Sequence, residues 1–238
     1  MRTLGIIGGT SWVSTQEYYR GLNAGVQAAL GGTHSAPLVV TSVDFQPYAE
    51  LMAAGDWDKV LVGMTTEARR LARAGVDGIA IASNTLHVFA DEVESAAGVP
   101  LVHIADAAAV PIKSAGFKRI GLMGTRYSME KGFYTTRFRE RHAIESLVPG
   151  ADDRIRINTI IFDELCREKF VDSSRADLHS MADDLAARGA QCVVLGCTEL
   201  PLVVKSGEVK LPVIDTLGAH VAACLQFILD RPGGLGTS

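Results

Sequence analysis

The chain has 238 residues, of which 47% are hydrophobic and 21% charged, and its formal net charge is −4. That length and apolar content suffice for one large or two smaller packed domains, and an acidic balance with no basic run excludes a nucleic-acid footprint. No apolar stretch approaches the roughly 20 residues of a membrane span, and the chain enters a strand pattern at once rather than a charged leader and apolar signal core. A cytoplasmic protein without a membrane or nucleic-acid partner is therefore expected.

Taken in order, residues 4–7 form an apolar strand pattern that closes on Gly8-Gly9-Thr10, and a helical pattern runs from there to about Ala29. Residues 37–43 read as a buried strand ending at Asp44, and 58–74 as a helix with Val60, Leu61, Met64, Ala68 and Leu71 at helical spacing. A strand at 78–82, a helix at 85–97 and a strand at 100–104 follow, the last ending near Asp106. The second half opens on a strand at 119–124 leading into Thr125, and residues 155–160, 192–196 and 212–214 supply later strands. Short apolar runs alternating with amphipathic helices predict an α/β protein whose mostly parallel sheets are covered on both faces.

The two halves repeat one another. At an offset of 114, Gly75 falls on Gly189, Ile79 on Val193, Ile81 on Leu195 and Ser83 on Cys197. At 116, Gly5 falls on Gly121 and Gly8 on Gly124; near 112, Pro100-Leu-Val-His103 falls on Pro212-Val-Ile-Asp215. Ser83 and Cys197 are thus a matched pair, each at the end of a predicted strand.

In parallel sheets, the strand C-terminal ends and the helix N-termini that follow them form the binding edge. Both loops are expected to lead into helices, whose free N–H groups and positive dipole ends suit a carboxylate. The same field is expected to lower the Cys197 thiol below the ordinary value of about 8.5. A serine hydroxyl in the equivalent place stays protonated, able to donate or relay a proton but poor as a base. Ser83-Asn84-Thr85 also reads as a helix N-cap, and no G-x-S-x-G surrounds Ser83; His87 is its only nearby imidazole.

Cys192 and Cys224 read as small buried hydrophobes, and the four cysteines show no C-x-x-C pair or zinc spacing, so no metal is expected. The loop Gly5-Ile-Ile-Gly8-Gly9-Thr10 matches neither G-x-G-x-x-G nor a Walker P-loop; its glycines are expected to let the backbone approach a small ligand. His34, His142, His179 and His220 are expected on surfaces or helix faces, and Arg137-Phe-Arg-Glu-Arg141 on a solvated face.

Gly8-Gly9-Thr10-Ser11-Trp12, Ser42-Val-Asp-Phe45, Ser83-Asn84-Thr85-Leu86-His87, His103-Ile-Ala-Asp106, Gly124-Thr125-Arg126-Tyr127 and Leu195-Gly-Cys-Thr-Glu-Leu200 together resemble the aspartate/glutamate racemase family over essentially the whole chain. The chain looks most like the branch specific for L-aspartate and L-glutamate. The resemblance implies two pseudo-symmetric three-layer αβα domains with the active site between them, no cofactor, and a homodimer. On this sequence the domains are 1–112 with about 215–231, and 113–214, leaving 232–238 as a flexible tail.

The resemblance also implies a two-base mechanism, in which one thiolate removes the α-proton of a small amino-acid or carboxylate substrate and the opposite thiol returns a proton to the other face. Cys197 is then the surviving acid/base on the L-enantiomer's side, with Ser83 in place of the second cysteine. Asn84, Thr85 and Thr198 would hold the α-carboxylate, while Gly9, Thr10 and Thr125 line the pocket and Glu199 joins the binding residues. Residues 46–56 contain no Lys or Arg where aspartate racemases of the family offer an arginine. Lys169, or Arg167, is left to meet a side-chain carboxylate. The alternatives are a single-cysteine decarboxylase or racemase of another carbon acid, similar to arylmalonate decarboxylase or hydantoin racemase, and an inactive carboxylate-binding relative.

Overall fold

In the computed structural model, which describes residues 1–230, every strand pairing among the described residues is parallel. The chain divides into two units: Met1–His103 joined by the chain from His220 onward, and Ile104–Ala219. The expectation of a tail at 232–238 lies outside the described residues.

The first unit is built on β1 (Leu4–Gly8), all five residues of which are buried. It lies between β2 (Leu38–Ser42) and β3 (Gly78–Ile81). Helices α1 (Trp12–Leu30), α2 (Phe45–Ala54) and α3 (Trp57–Arg73) carry the crossovers. The α3 sequence explains its own limits and seat. The Asp56 side chain accepts from the Lys59 N–H at its start, and Val60, Met64, Ala68 and Leu71 bury one stripe at three-to-four-residue spacing.

Two sequence expectations change in this unit. The segment 37–43 is an edge strand rather than a buried one, since β2 pairs only with β1 and none of its residues is fully buried. Its Leu-Val-Val run resembles a central strand because apolar content does not report position in the sheet order. The strand expected at 100–104 reduces to a single bridge, Ile79 to Leu101, because Ile104 already begins α5 (Ile104–Ser114). The helix expected at 85–97 is a 3₁₀ segment, Thr85–Phe89, followed by α4 (Ala90–Ala97).

The second unit holds a four-stranded sheet in the order β5 (Glu145–Leu147), β4 (Arg119–Gly124), β6 (Cys192–Gly196), β7 (Val213–Asp215). Its strands alternate between two cores. Ile120, Leu122, Cys192 and Val194 face a cluster with Ile104, Ala108, Ile112, Tyr134 and Phe138, whereas Met123, Val193, Leu195 and Cys197 face one with Leu178 and Leu185. Helix α5 belongs to this unit because its Ile104, Ala105, Ala108, Ala109 and Ile112 complete the first of those clusters. The boundary accordingly falls near residue 104 rather than 112.

The remaining helices of this unit are α6 (Arg126–Glu130), α7 (Phe133–His142), α8 (Ala151–Thr159) and α9 (Asp172–Ala187). The strand expected at 155–160 is absent. Those residues lie in α8 and the π-helical turn Ile160–Glu164 that extends it. Ile157, Ile160 and Ile161 are buried at helical spacing, while Arg154 and Arg156 reach out to Glu130 and Asp177. The edge place next to β4 goes instead to β5.

The sequence repeat becomes a repeat of register. Leu4 pairs with Gly78 and Ile120 with Cys192; Ile79 bridges Leu101 and Val193 pairs with Val213. These pairs are related by the offsets 116, 114 and 112 seen in the sequence. Ser83 and Cys197 therefore hold topologically equivalent places, each just past the strand beside its unit's central strand. Among the described residues no helix is long and apolar enough to cross a membrane.

Candidate active site

In the second unit, three strand ends share one edge of the sheet: β4 delivers Thr125, β6 delivers Cys197-Thr198-Glu199, and β7 leads into α10 (Thr216–Leu229). Cys197 is buried, and its Sγ donates to Glu199 Oε2 at 3.0 Å. The same carboxylate oxygen accepts from Thr198 Oγ1 at 2.7 Å. Burial raises the Cys197 thiol well above its ordinary value, and the Glu199 carboxylate raises it further. Both effects favour the protonated thiol.

This reverses the expectation of a helix-stabilised thiolate, and the reason is local. Cys197 is followed by a three-residue 3₁₀ turn, Leu200–Leu202, too short to sum a useful dipole, while the neighbouring carboxylate acts in the opposite direction. Glu199, expected among the substrate-binding residues, spends its carboxylate on Cys197 and Thr198. Thr125 is buried and caps α6, accepting from the Ser128 N–H at 3.2 Å.

Behind this edge lie residues that the sequence did not single out. Thr216 is fully buried and donates from Oγ1 to the Leu195 carbonyl at 2.7 Å. Fully buried Tyr134 is raised above its ordinary value by burial, an effect opposed by its hydrogen bond with Thr216 and strengthened by Cys197. Cys166 is exposed as a residue, yet partial desolvation of its thiol, joined by the Glu199 carboxylate within electrostatic reach, pushes it up to about 12. Lys169 is exposed, and Arg167 pairs with Asp163 at 3.5 Å. Nothing in sequence spacing marks Tyr134 or Thr216, because both reach the site through the packing of elements remote in the chain.

In the first unit the corresponding edge carries Gly9-Thr10 after β1 and Ser83-Asn84-Thr85 after β3. Ser11 caps α1, its side chain accepting from the Ser14 N–H, and Thr15 Oγ1 accepts from the Gly9 N–H at 2.9 Å. Gly9 has φ +90°, and a Cβ there would lie 2.2 Å from the Val43 carbonyl oxygen. Close approach of the β2 end therefore requires a glycine at this position. Thr10 is buried, and its Oγ1 holds no hydrogen bond.

Asn84 precedes the 3₁₀ turn without capping it through its side chain, so the predicted N-cap is not formed. Ser83 is partly buried; its carbonyl accepts from His87 Nδ1 at 2.7 Å. His220, expected on a helix face, is fully buried in this unit, and His87 and His103 are nearly so. In the second unit, His142 and Arg137 also leave the solvated face expected for them, because both bind Asp106, Arg137 through Nε and Nη2.

Two parallel sheets flanked by helices, with a matched Ser/Cys pair at equivalent strand ends, define a duplicated α/β protein. The model of the Asp/Glu/Hydantoin racemase family matches residues 7–224, and the chain belongs to that family. Among solved structures it is similar to an Asp/Glu racemase candidate from Yersinia pestis, at 44% identity and TM-score 0.91, covering 97% of this chain and 100% of that one. It also resembles an aspartate racemase homologue from Pyrococcus horikoshii, at 30% identity and TM-score 0.81 over 97% and 100% of the two chains. A glutamate racemase from Persephonella marina is 25% identical over 204 residues, 79% of this chain and 76% of that protein.

Proposed function

We propose that the protein is a cofactor-independent amino-acid racemase acting on L-aspartate or L-glutamate, with Cys197 as its acid/base and Ser83 in place of the second thiol. The observation that carries this reading is the Cys197 thiol hydrogen-bonded to Glu199 at the end of β6, in a chain of this family. To remove an α-proton, the thiol must first lose its own, and Glu199 is the acceptor within reach. The carboxylate takes that proton, the thiolate takes the one on Cα, and the carbanion is held by donors on its carboxylate until the Ser83 hydroxyl, relaying a proton from water, returns one to the other face. In the other direction the resting thiol is already charged with the proton it delivers. A substrate ammonium beside this pair offsets the negative charge that opposes thiolate formation.

Asn84, Thr85 and Thr198 are the proposed α-carboxylate ligands, Gly9, Thr10 and Thr125 line the binding surface, and Lys169 meets the distal carboxylate. The family resemblance further supports a cytoplasmic homodimer, which light scattering on the purified protein tests. For the chemistry, each enantiomer of the common amino acids is incubated in deuterated buffer and its α-proton followed by NMR. Exchange of L-aspartate or L-glutamate that disappears in Cys197→Ala is expected; no exchange with any amino acid would overturn the assignment. Ser83→Cys is expected to create or raise exchange of the D-enantiomers.

A further inference from the structure

Three histidines far apart in the sequence meet inside the first unit: His87 from the 3₁₀ turn after β3, His103 from the end of the segment bridged to β3, and His220 from α10. They are 2%, 5% and 0% exposed. The His87 ring stands edge-on to His103 at 4.8 Å and to His220 at 5.4 Å, centroid to centroid. Burying three imidazoles is costly unless their nitrogens are satisfied, and no group of three or more His, Cys, Asp or Glu among the described residues is arranged to hold a metal ion.

The partners fix the protons. His220 Nε2 lies 2.7 Å from the Val102 carbonyl, which can only accept, so Nε2 carries the hydrogen and Nδ1 receives the Tyr18 hydroxyl at 2.6 Å. His87 Nδ1 lies 2.7 Å from the Ser83 carbonyl, which can only accept, so Nδ1 carries a hydrogen and donates to it. That carbonyl sits where the sheet lets go of the chain. The last β3 hydrogen bond runs from the Ala82 N–H to the Ile7 carbonyl, and one residue later the imidazole replaces the ladder.

The matched loop of the second unit has no such device. At the offset of 114, His87 corresponds to Pro201, which has no donor to offer, and Cys197 is held through its side chain by Glu199 instead.

We propose that His87 is the positioning residue of the Ser83 loop, fixing the Ser83 peptide through Nδ1 while the buried His103 and His220 rings fix His87. The inference rests on the reading of Ser83 as the counterpart of the reactive cysteine, but its test does not require turnover. In a Ser83→Cys background, the rate at which iodoacetamide alkylates the introduced thiol reports that side chain's placement. Peptide mass spectrometry separates it from exposed Cys166, the internal control.

His87→Phe keeps the ring bulk and removes the donor. It is expected to change alkylation of the introduced thiol at least about fivefold, since misplacement by about an ångström alters reactivity up to about a hundredfold. Cys166 labelling should stay constant. His87→Asn, whose amide donor lies near the Nδ1 position, should restore the parent rate. Equal labelling of the introduced thiol in parent and His87→Phe overturns the proposal. Should His87→Phe fail to fold, His87→Asn is compared with His87→Gln, whose donor lies near the Nε2 position, and equal rates again overturn it. Parallel α-proton exchange measurements on the Ser83 protein separate the two readings. A positional effect without exchange in any variant leaves His87 in its role and removes the racemase assignment.

Discussion

Lowering the pH from 7.5 to 4 tests the buried imidazoles directly. Burial lowers His220 from its ordinary 6.5 to about 4, the hydrogen bond to the Val102 carbonyl only partly opposing this. Between those values the unfolded chain binds a proton at His220 that the native chain does not. The stability this group contributes is therefore complete above pH 6.5 and is lost as the pH falls towards 4. At about 1.4 kcal/mol per pH unit, the loss is about 3 kcal/mol, a large part of the stability of a typical domain. The assay is urea unfolding followed by tryptophan fluorescence, because both tryptophans, Trp12 and Trp57, belong to the first unit. His220→Gln does not titrate and retains a donor for Val102. The wild-type stability should fall about 3 kcal/mol more than the variant's over this window. Parallel profiles would refute the reasoning.

Three further outcomes follow from the geometry. Glu199→Gln removes the charge that helps to hold the Cys197 thiol up, so alkylation of Cys197 at pH 8 should accelerate while α-proton exchange falls about 10²–10⁴-fold; an unchanged alkylation rate counts against the pairing. Gly9→Ala places its Cβ against the Val43 backbone at positive φ and should cost about 2–4 kcal/mol in urea unfolding, whereas Gly98→Ala, with open space around it, should cost about 1 kcal/mol. Thr216→Val leaves the Leu195 carbonyl without this buried donor and should destabilise the second unit by about 1–3 kcal/mol, measured by thermal unfolding.

The central strands were legible in the sequence because they are buried on both faces: β1, β4 and β6 are short apolar runs bounded by glycine or polar residues. Helix α3 was legible because its stripe is sharply one-sided. Edge position was not, since β2 is as apolar as a central strand, and β5 is too short to carry a pattern. Residues 155–160 misled because three isoleucines among charges fit strand alternation locally, while burial of Ile157 with Ile160 and Ile161 selects the helix. At the site, the Ser83/Cys197 pairing was readable as a repeat offset, and the structure expresses the same offsets as strand register.

What the sequence determined by itself was the repeat, the parallel α/β character and the identity of the matched pair, all properties of local periodicity and spacing. The tertiary structure alone decided the state of the thiol. A cysteine before a predicted helix suggested a depressed pKa, but burial and the Glu199 carboxylate keep it protonated. It also decided the fate of the histidines, because only packing brings His103 and His220 against His87. Desolvation and charge proximity depend on distances in space, and those are set by how the elements pack rather than by their spacing along the chain.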